Sequence, residues 1–208
     1  MAKKKLSGLG VAAMFVFGIS GTASAATLDF ELGLTGSTFG DLNALDASYG
    51  GFTWDSNYYI VTQDYYNTIY GNLSTFVSGN EAAFNGDGVL TVTTTGAPVD
   101  LTGAWFQGWG VYNGFYSYTA TSVTVEGFLG ATSVGTASMS LSPSSFSYLS
   151  FNFGSPVDSF TVTSSGSGTW WLMDDLSYNA ASVPEPSTLL LLGSGMAGLG
   201  LMRLRKRK

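Results

Sequence analysis

Alternation of apolar and polar residues marks several segments of the middle of the chain: Thr27 to Leu32, Val89 to Thr93, Ser122 to Glu126, Ser159 to Thr163 and Thr169 to Tyr178. A period of two sends successive side chains to opposite faces, so each segment predicts a half-buried β-strand. Turn-forming clusters separate them, among them Asn85-Gly86-Asp87-Gly88 and Ser164-Ser165-Gly166-Ser167-Gly168. Helical periodicity is scarce; one helical turn is expected around Leu42 to Ala47. Short strands with turn signals every ~8 to 12 residues predict an all-β body, an antiparallel β-sandwich of jelly-roll type. The two ends differ in kind: Leu6 to Ile19 and Thr188 to Met202 are almost continuously apolar or small.

These end segments read as addresses. Lys3, Lys4 and Lys5 precede the first, and Gly21-Thr22-Ala23-Ser24-Ala25-Ala26 ends it. A basic start, a 14-residue apolar run and small residues at Ala23 and Ala25 are the parts of a secretory signal peptide over residues 1–25, cleaved before Ala26. An uncleaved anchor is the competing reading, and it needs about 20 apolar residues. At the other end, Val183-Pro184-Glu185-Pro186-Ser187 leads into an apolar segment, closed by Arg203, Arg205, Lys206, Arg207 and Lys208. A helix from Ser187 to Met202 would extend ~24 Å at 1.5 Å per residue, somewhat short of the ~30 Å hydrocarbon core. The basic cluster acts as a membrane stop on the cytoplasmic side, and its long stems reach the headgroups. A short transmembrane helix is therefore expected at about residues 187–204.

Pro184-Glu185-Pro186, a short apolar helix and a terminal basic cluster, on a chain with a signal peptide, resemble the PEP-CTERM sorting signal of Gram-negative bacteria, over Val183 to Lys208. The resemblance implies that an exosortase-type membrane transpeptidase recognises Pro184, Glu185 and Pro186 and removes the tail. It also implies a bacterium that makes exopolysaccharide and forms biofilm matrix. The product would be anchored transiently in the membrane and then reach the cell surface or extracellular space. The prolines keep the scissile region extended, because each restricts its own φ and the residue before it.

Charge changes the picture of the body, residues 26–181. All 8 Lys and Arg lie in the two end segments, whereas 13 of the 14 Asp and Glu lie in the body, the other being Glu185. Without a basic groove the body cannot neutralise phosphates, which excludes nucleic acid as a partner. The absence of His and Cys removes the common zinc sites, disulfides and His-dependent nucleophile systems. Carboxylates, hydroxyls, aromatic rings and hard cations remain. The body also resembles the β-sandwich domains common in proteins with this tail, and carbohydrate-binding jelly rolls, through Leu28-Asp29-Phe30-Glu31, Tyr49-Gly50-Gly51-Phe52-Thr53-Trp54 and Met173-Asp174-Asp175-Leu176.

The last strand places a carboxylate where water is scarce. With period two, Trp170, Leu172, Asp174, Leu176 and Tyr178 share one face, and Trp171, Met173, Asp175 and Ser177 the other. A buried carboxylate must be paired, hydrogen-bonded or protonated, and no cationic side chain is at hand. Two partners remain open: loop amides, or a structural calcium ion held by Asp29 or Glu31 with Asp174 or Asp175, the first and last strands lying side by side. Asn85-Gly86-Asp87-Gly88 lacks the continued ligand spacing of a calcium loop and reads as a turn.

Two aromatic-rich stretches, Phe52 to Tyr70 and Trp105 to Tyr118, carry the candidate binding surface. Sugar rings stack on Trp and Tyr while Asn, Gln, Asp and Ser take the hydroxyls. Aromatic residues also fill sandwich cores, and Phe52, Trp54, Trp105 and Trp109 are expected to pack. Tyr58, Tyr59, Tyr65, Tyr66, Tyr112 and Tyr116, close to Gly and Asn, are the expected exposed ones. Thirteen carboxylates could supply an acid–base pair for glycoside hydrolysis, yet none stands in a recognisable motif, so no catalytic residue is assigned. The reading is an exported surface or matrix protein with a structural or binding role, a polysaccharide-binding module being the alternative and a glycan hydrolase the third. Because residues 26–183 contain neither Lys nor Arg, the processed protein should survive trypsin even when denatured, and its intact mass should run from Ala26 to a point before Arg203. Tryptic fragments of the body, or a mass that includes the basic tail, would contradict this processing.

Overall fold

The computed structural model describes residues 25–70, 75–110 and 118–180. Twelve strands follow in order: β1 (Ala25–Leu28), β2 (Phe39–Asp41), β3 (Phe52–Trp54), β4 (Tyr58–Thr62), β5 (Glu81–Asn85), β6 (Leu90–Thr94), β7 (Val99–Gly108), β8 (Ala120–Leu129), β9 (Thr132–Ser140), β10 (Ser147–Ser150), β11 (Ser159–Gly166) and β12 (Trp171–Ala180). They form two antiparallel sheets, a larger one ordered β10-β7-β12-β5-β4-β2 with β1 added beside β12, and a smaller one ordered β3-β6-β11-β8-β9. The expected sandwich is present, and its first and last strands pair from Ala25↔Asn179 to Leu28↔Leu176. Residues Ala23–Ala181 make one compact unit; the chain ends, 1–22 and 182–208, lie outside the described residues.

Between the sheets lies the main core, with Phe52, Trp54, Tyr58, Phe106, Phe160, Trp171 and Met173 among its members. Burying a ring of this size stabilises the fold by about 2–3 kcal/mol. Alternation explains who enters: Val123 and Val125 of β8 and Phe160 and Val162 of β11 point in, with the residues between them pointing out. Gly127 and Gly135 face each other across β8 and β9, and a Cβ on either would meet the Phe153 ring within 2.8 Å. This glycine pair makes the seat on which Phe153 closes the core.

In β12 the simple alternation fails. Between Asp174↔Trp105 and Ser177↔Gly103 the strand takes three steps against two on β7, and Asp175 adopts φ 49°. This bulge turns the following residues over. Trp171 and Met173 enter the main core before it and Leu176 and Tyr178 after it, whereas Leu172 belongs to a second cluster on the opposite face. The expectation that Leu172, Asp174, Leu176 and Tyr178 share a face is thereby corrected.

The second cluster covers the outside of the larger sheet. Val61, Ala82, Phe84, Trp109 and Leu172 supply its floor, and Tyr66 and Phe76 lie over it. Tyr66 belongs to a helix that alternation did not reveal, α2 (Gln63–Tyr70), beside the expected helical turn, α1 (Leu42–Leu45). Thr62 begins α2 by accepting the Tyr65 N–H at 3.4 Å. Its residues are weak helix formers, and what holds them is tertiary: Tyr66 and Tyr70, four apart and on one face, both pack edge-on against Trp109, at 5.1 and 5.2 Å.

Candidate functional site

The outer face of the larger sheet carries a continuous band of rings. Cross-strand neighbours share a face, so the pairs Phe39↔Val61, Tyr59↔Phe84 and Leu172↔Phe84 bring β2, β4, β5 and β12 onto it. Phe84 is the hub. It stacks on Tyr59 at 5.3 Å and lies 4.9 Å from Trp109, 6.3 Å from Phe39 and 6.3 Å from Trp170. Tyr65 lies 5.3 Å from Phe39, and Tyr118 rests on Trp170 at 5.0 Å with the planes inclined by 32°. The buried rings Phe84 and Trp109 support the band; Tyr59, Tyr65 and Trp170 are half-buried; Phe39 and Tyr118 are 49% and 50% exposed. Gly86 admits the Tyr59 ring, which lies 2.8 Å from where a Cβ would stand. Polar groups border the band: the Asn57 carbonyl accepts the Gly86 N–H at 2.8 Å, and the Thr169 hydroxyl donates to Asp87 at 2.9 Å.

The expected binding residues divide. Tyr59 and Tyr65 belong to the band. Tyr58 and Tyr66 are fully buried, which corrects their expected exposure. Tyr58 points to the main core because it alternates with Tyr59, and Tyr66 projects from α2 into the second cluster. Burial raises both phenols well above the ordinary tyrosine range. Phe52, Trp54 and Trp109 pack as expected, whereas Trp105 is only half-buried, pointing outward against Tyr148 at 5.4 Å. Tyr112 and Tyr116 lie outside the described residues. Sequence reading missed Phe39, Phe84 and Trp170. Phe39 stands alone between Thr38 and Gly40, and no local signal gives its register; Phe84 and Trp170 join the band only through strand pairing.

The carboxylates at the junction of the first and last strands come near each other but turn to amides. Asp174, fully buried, accepts from Val77 N–H at 2.9 Å and Ser78 N–H at 3.1 Å on one oxygen, and from Asp175 N–H at 2.8 Å and the Ser78 hydroxyl at 3.2 Å on the other. Asp175 takes the same hydroxyl at 2.8 Å. Glu31 Oε1 accepts from Asn80 and Glu81 N–H at 2.6 and 2.7 Å, and Glu81 Oε2 from Leu32 N–H at 2.8 Å. Asp29 accepts from the Tyr49 hydroxyl at 3.1 Å. These bonds pin segment 76–81 to the strand junction. Among the described residues no three of these acidic side chains converge in one place.

Burial pushes the Asp174 carboxyl up to about 7, with the neighbouring Asp175 charge adding and the Ser78, Asp175 and Val77 amides opposing. Burial raises Glu81 too. An acid with a raised folded pKa binds its proton more tightly in the native state, so its stabilisation is complete below about pH 4 and is lost as pH climbs through 7. The melting temperature should therefore fall from pH 4 to pH 8, and Asp174→Asn should flatten that slope, Glu81 leaving a remainder. Asp174→Ala, which takes the acceptor from the part-buried Val77, Ser78 and Asp175 amides, should cost about 1–3 kcal/mol in denaturant unfolding. A slope identical in wild type and Asp174→Asn would contradict the assignment.

Comparison with known proteins bears on the tail and on the body separately. A search of curated proteins finds no match to the chain. Among solved structures, a DUF4465 family protein from Bacteroides caccae is similar at 11% identity, over 61% of this chain and 78% of that one, with a TM-score of 0.45. The K2 cleaved adhesin domain of Lys-gingipain shares 10% identity over 76% of this chain and all (100%) of that one, TM-score 0.41. A family 29 carbohydrate-binding module shares 13% over 76% of this chain and 89% of that one, TM-score 0.37. At these values none of the three lends its ligand to this chain. The tail is assigned by its own match: residues 182–207 are a PEP-CTERM protein-sorting motif, which marks an exported protein sorted through the membrane by an exosortase.

Proposed function

We propose that the chain is a cell-surface or extracellular-matrix protein of a Gram-negative, exopolysaccharide-producing bacterium, and that its body binds neutral polysaccharide on the aromatic band. The observation that carries this reading is the band itself: rings on one sheet face, open at Phe39 and Tyr118, supported from below by Phe84 and Trp109. Apolar faces of sugar rings suit such a surface, and the bordering Asn57, Asp87 and Thr169 suit their hydroxyls. A body without Lys, Arg or His offers an anionic ligand no counter-charge, which favours a neutral one. Binding is favoured over hydrolysis because Glu31, Glu81 and Asp174 spend their oxygens on backbone amides.

Divalent cations act in this reading as counterions to the 13 body carboxylates. Melting temperatures should match in equal concentrations of calcium and magnesium; a specific rise with calcium, abolished by chelator, would mark a coordinated site instead.

Affinity electrophoresis through gels containing neutral polysaccharides, or the host's own polymer, should retard the exported protein with little dependence on salt. Phe39→Ala and Tyr118→Ala should each weaken retention about 5- to 10-fold, equivalent to about 1–1.4 kcal/mol, and Tyr148→Ala, off the band, should not. Free migration through every gel, or retention equal in all variants, would overturn the reading.

A further inference from the structure

We infer that the free edge of β9 pairs antiparallel with β9 of a second copy of this chain, joining two smaller sheets across a two-fold axis. An edge strand presents unpaired N–H and C=O groups, and folded proteins usually blunt it with a charge, a proline or a short strand. The outlying strands β1, β2, β3 and β10 follow that rule with three or four residues each. β9 breaks it with nine, Thr132-Ser133-Val134-Gly135-Thr136-Ala137-Ser138-Met139-Ser140, among which there is no charge and no proline.

Its first half is covered. Gly154 donates to the Val134 carbonyl at 3.0 Å, the one backbone bond along β9 outside its pairing with β8 among the described residues. Among the described residues Thr136 to Ser140 has no backbone partner other than β8. There Thr136, Ser138 and Ser140 are exposed, while Ala137 and Met139 are half-buried against the main core. A second β9 laid alongside would extend that core over Met139 and line hydroxyls against hydroxyls on the other face.

Charge restricts where two copies can meet. A copy of this chain is a body of 13 carboxylates and no cation, so two copies repel wherever acidic surface meets. Residues 127–157, which include all of β9, contain no charged side chain. Two carboxylates lie near β9: Asp158, which holds the β8–β9 turn through Gly130 N–H at the end away from Thr136 to Ser140, and Glu126, one strand inside and opposite Thr136. Across a β8-β9-β9-β8 junction two Glu126 residues would stand three strand spacings apart, about 14 Å, beyond the ~8 Å screening length at physiological salt. A two-fold pairing is also self-complementary and closes at the dimer.

Sedimentation equilibrium of the exported protein at physiological salt should give a monomer–dimer equilibrium. The double variant Thr136→Lys/Ser138→Lys should raise the dissociation constant at least about tenfold while its melting temperature, measured at a concentration where wild type is also monomeric, stays unchanged, and Thr91→Lys, exposed on β6 of the same sheet, should leave the dissociation constant unchanged. Hydrogen exchange of wild type offers a readout without mutation: amides of Thr136 to Ser140 should slow as protein concentration rises. A wild type that stays monomeric with concentration-independent exchange, or a dimer indifferent to the two lysines, would overturn the inference.

Discussion

The body has thirteen carboxylates and no cationic side chain, and much of its architecture follows from where those carboxylates find partners. Ion pairing within the body is closed to them, so donors must come from hydroxyls and from backbone N–H groups left over by the strands. Asp41 caps α1 through Asn43 and Ala44 N–H, Asp158 takes Gly130 N–H at the β8–β9 turn, and Asp55 takes Asn57 N–H. The same rule is most consequential at the junction of β1 and β12. Glu31, Glu81 and Asp174 there exchange bonds with segments that would otherwise have unsatisfied amides, and each carboxylate fastens a loop.

Those fastened loops make the larger sheet two-faced. One side packs into the sandwich; the other, with α2 and segment 76–81 held over it, carries a smaller aromatic core that thins outward into exposed rings. The bulge at Asp175 links the two arrangements. It lets β12 feed Trp171 and Met173, then Leu176 and Tyr178, into the main core, while Asp174 stays on the outer side within reach of Val77 and Ser78. A buried carboxylate and a strained residue next to it are costs, offset by the amides they organise.

Acidity also divides the surface. Carboxylates are spread over the rest of the body, whereas the β8–β9 turn, β9 and β10 lie in a stretch that is free of charge but rich in Ser, Thr and Gly. The chain also carries a protein-sorting motif at residues 182–207, outside this division of charge.

Much of this was legible in the chain alone. The sorting motif and the unequal placement of charge are properties of residue order. The strands around Val92, Val125 and Val162 are local consequences of alternation, which needs no tertiary information to be read. Other features were not local. Tyr58 and Tyr59 are adjacent and chemically identical; one is core and the other surface because β4 pairs with β2 and β5 in a particular register. α2 exists because Trp109, distant in sequence, offers Tyr66 and Tyr70 a surface. The bulge in β12 is invisible to a period-two reading because one extra residue reverses every face after it. The sequence by itself determined export, acidity and an all-β body, which depend on composition and short-range order. Only the tertiary structure decided which rings face water, which amides serve each carboxylate and which edge stays open, because those depend on strands brought together from opposite ends of the chain.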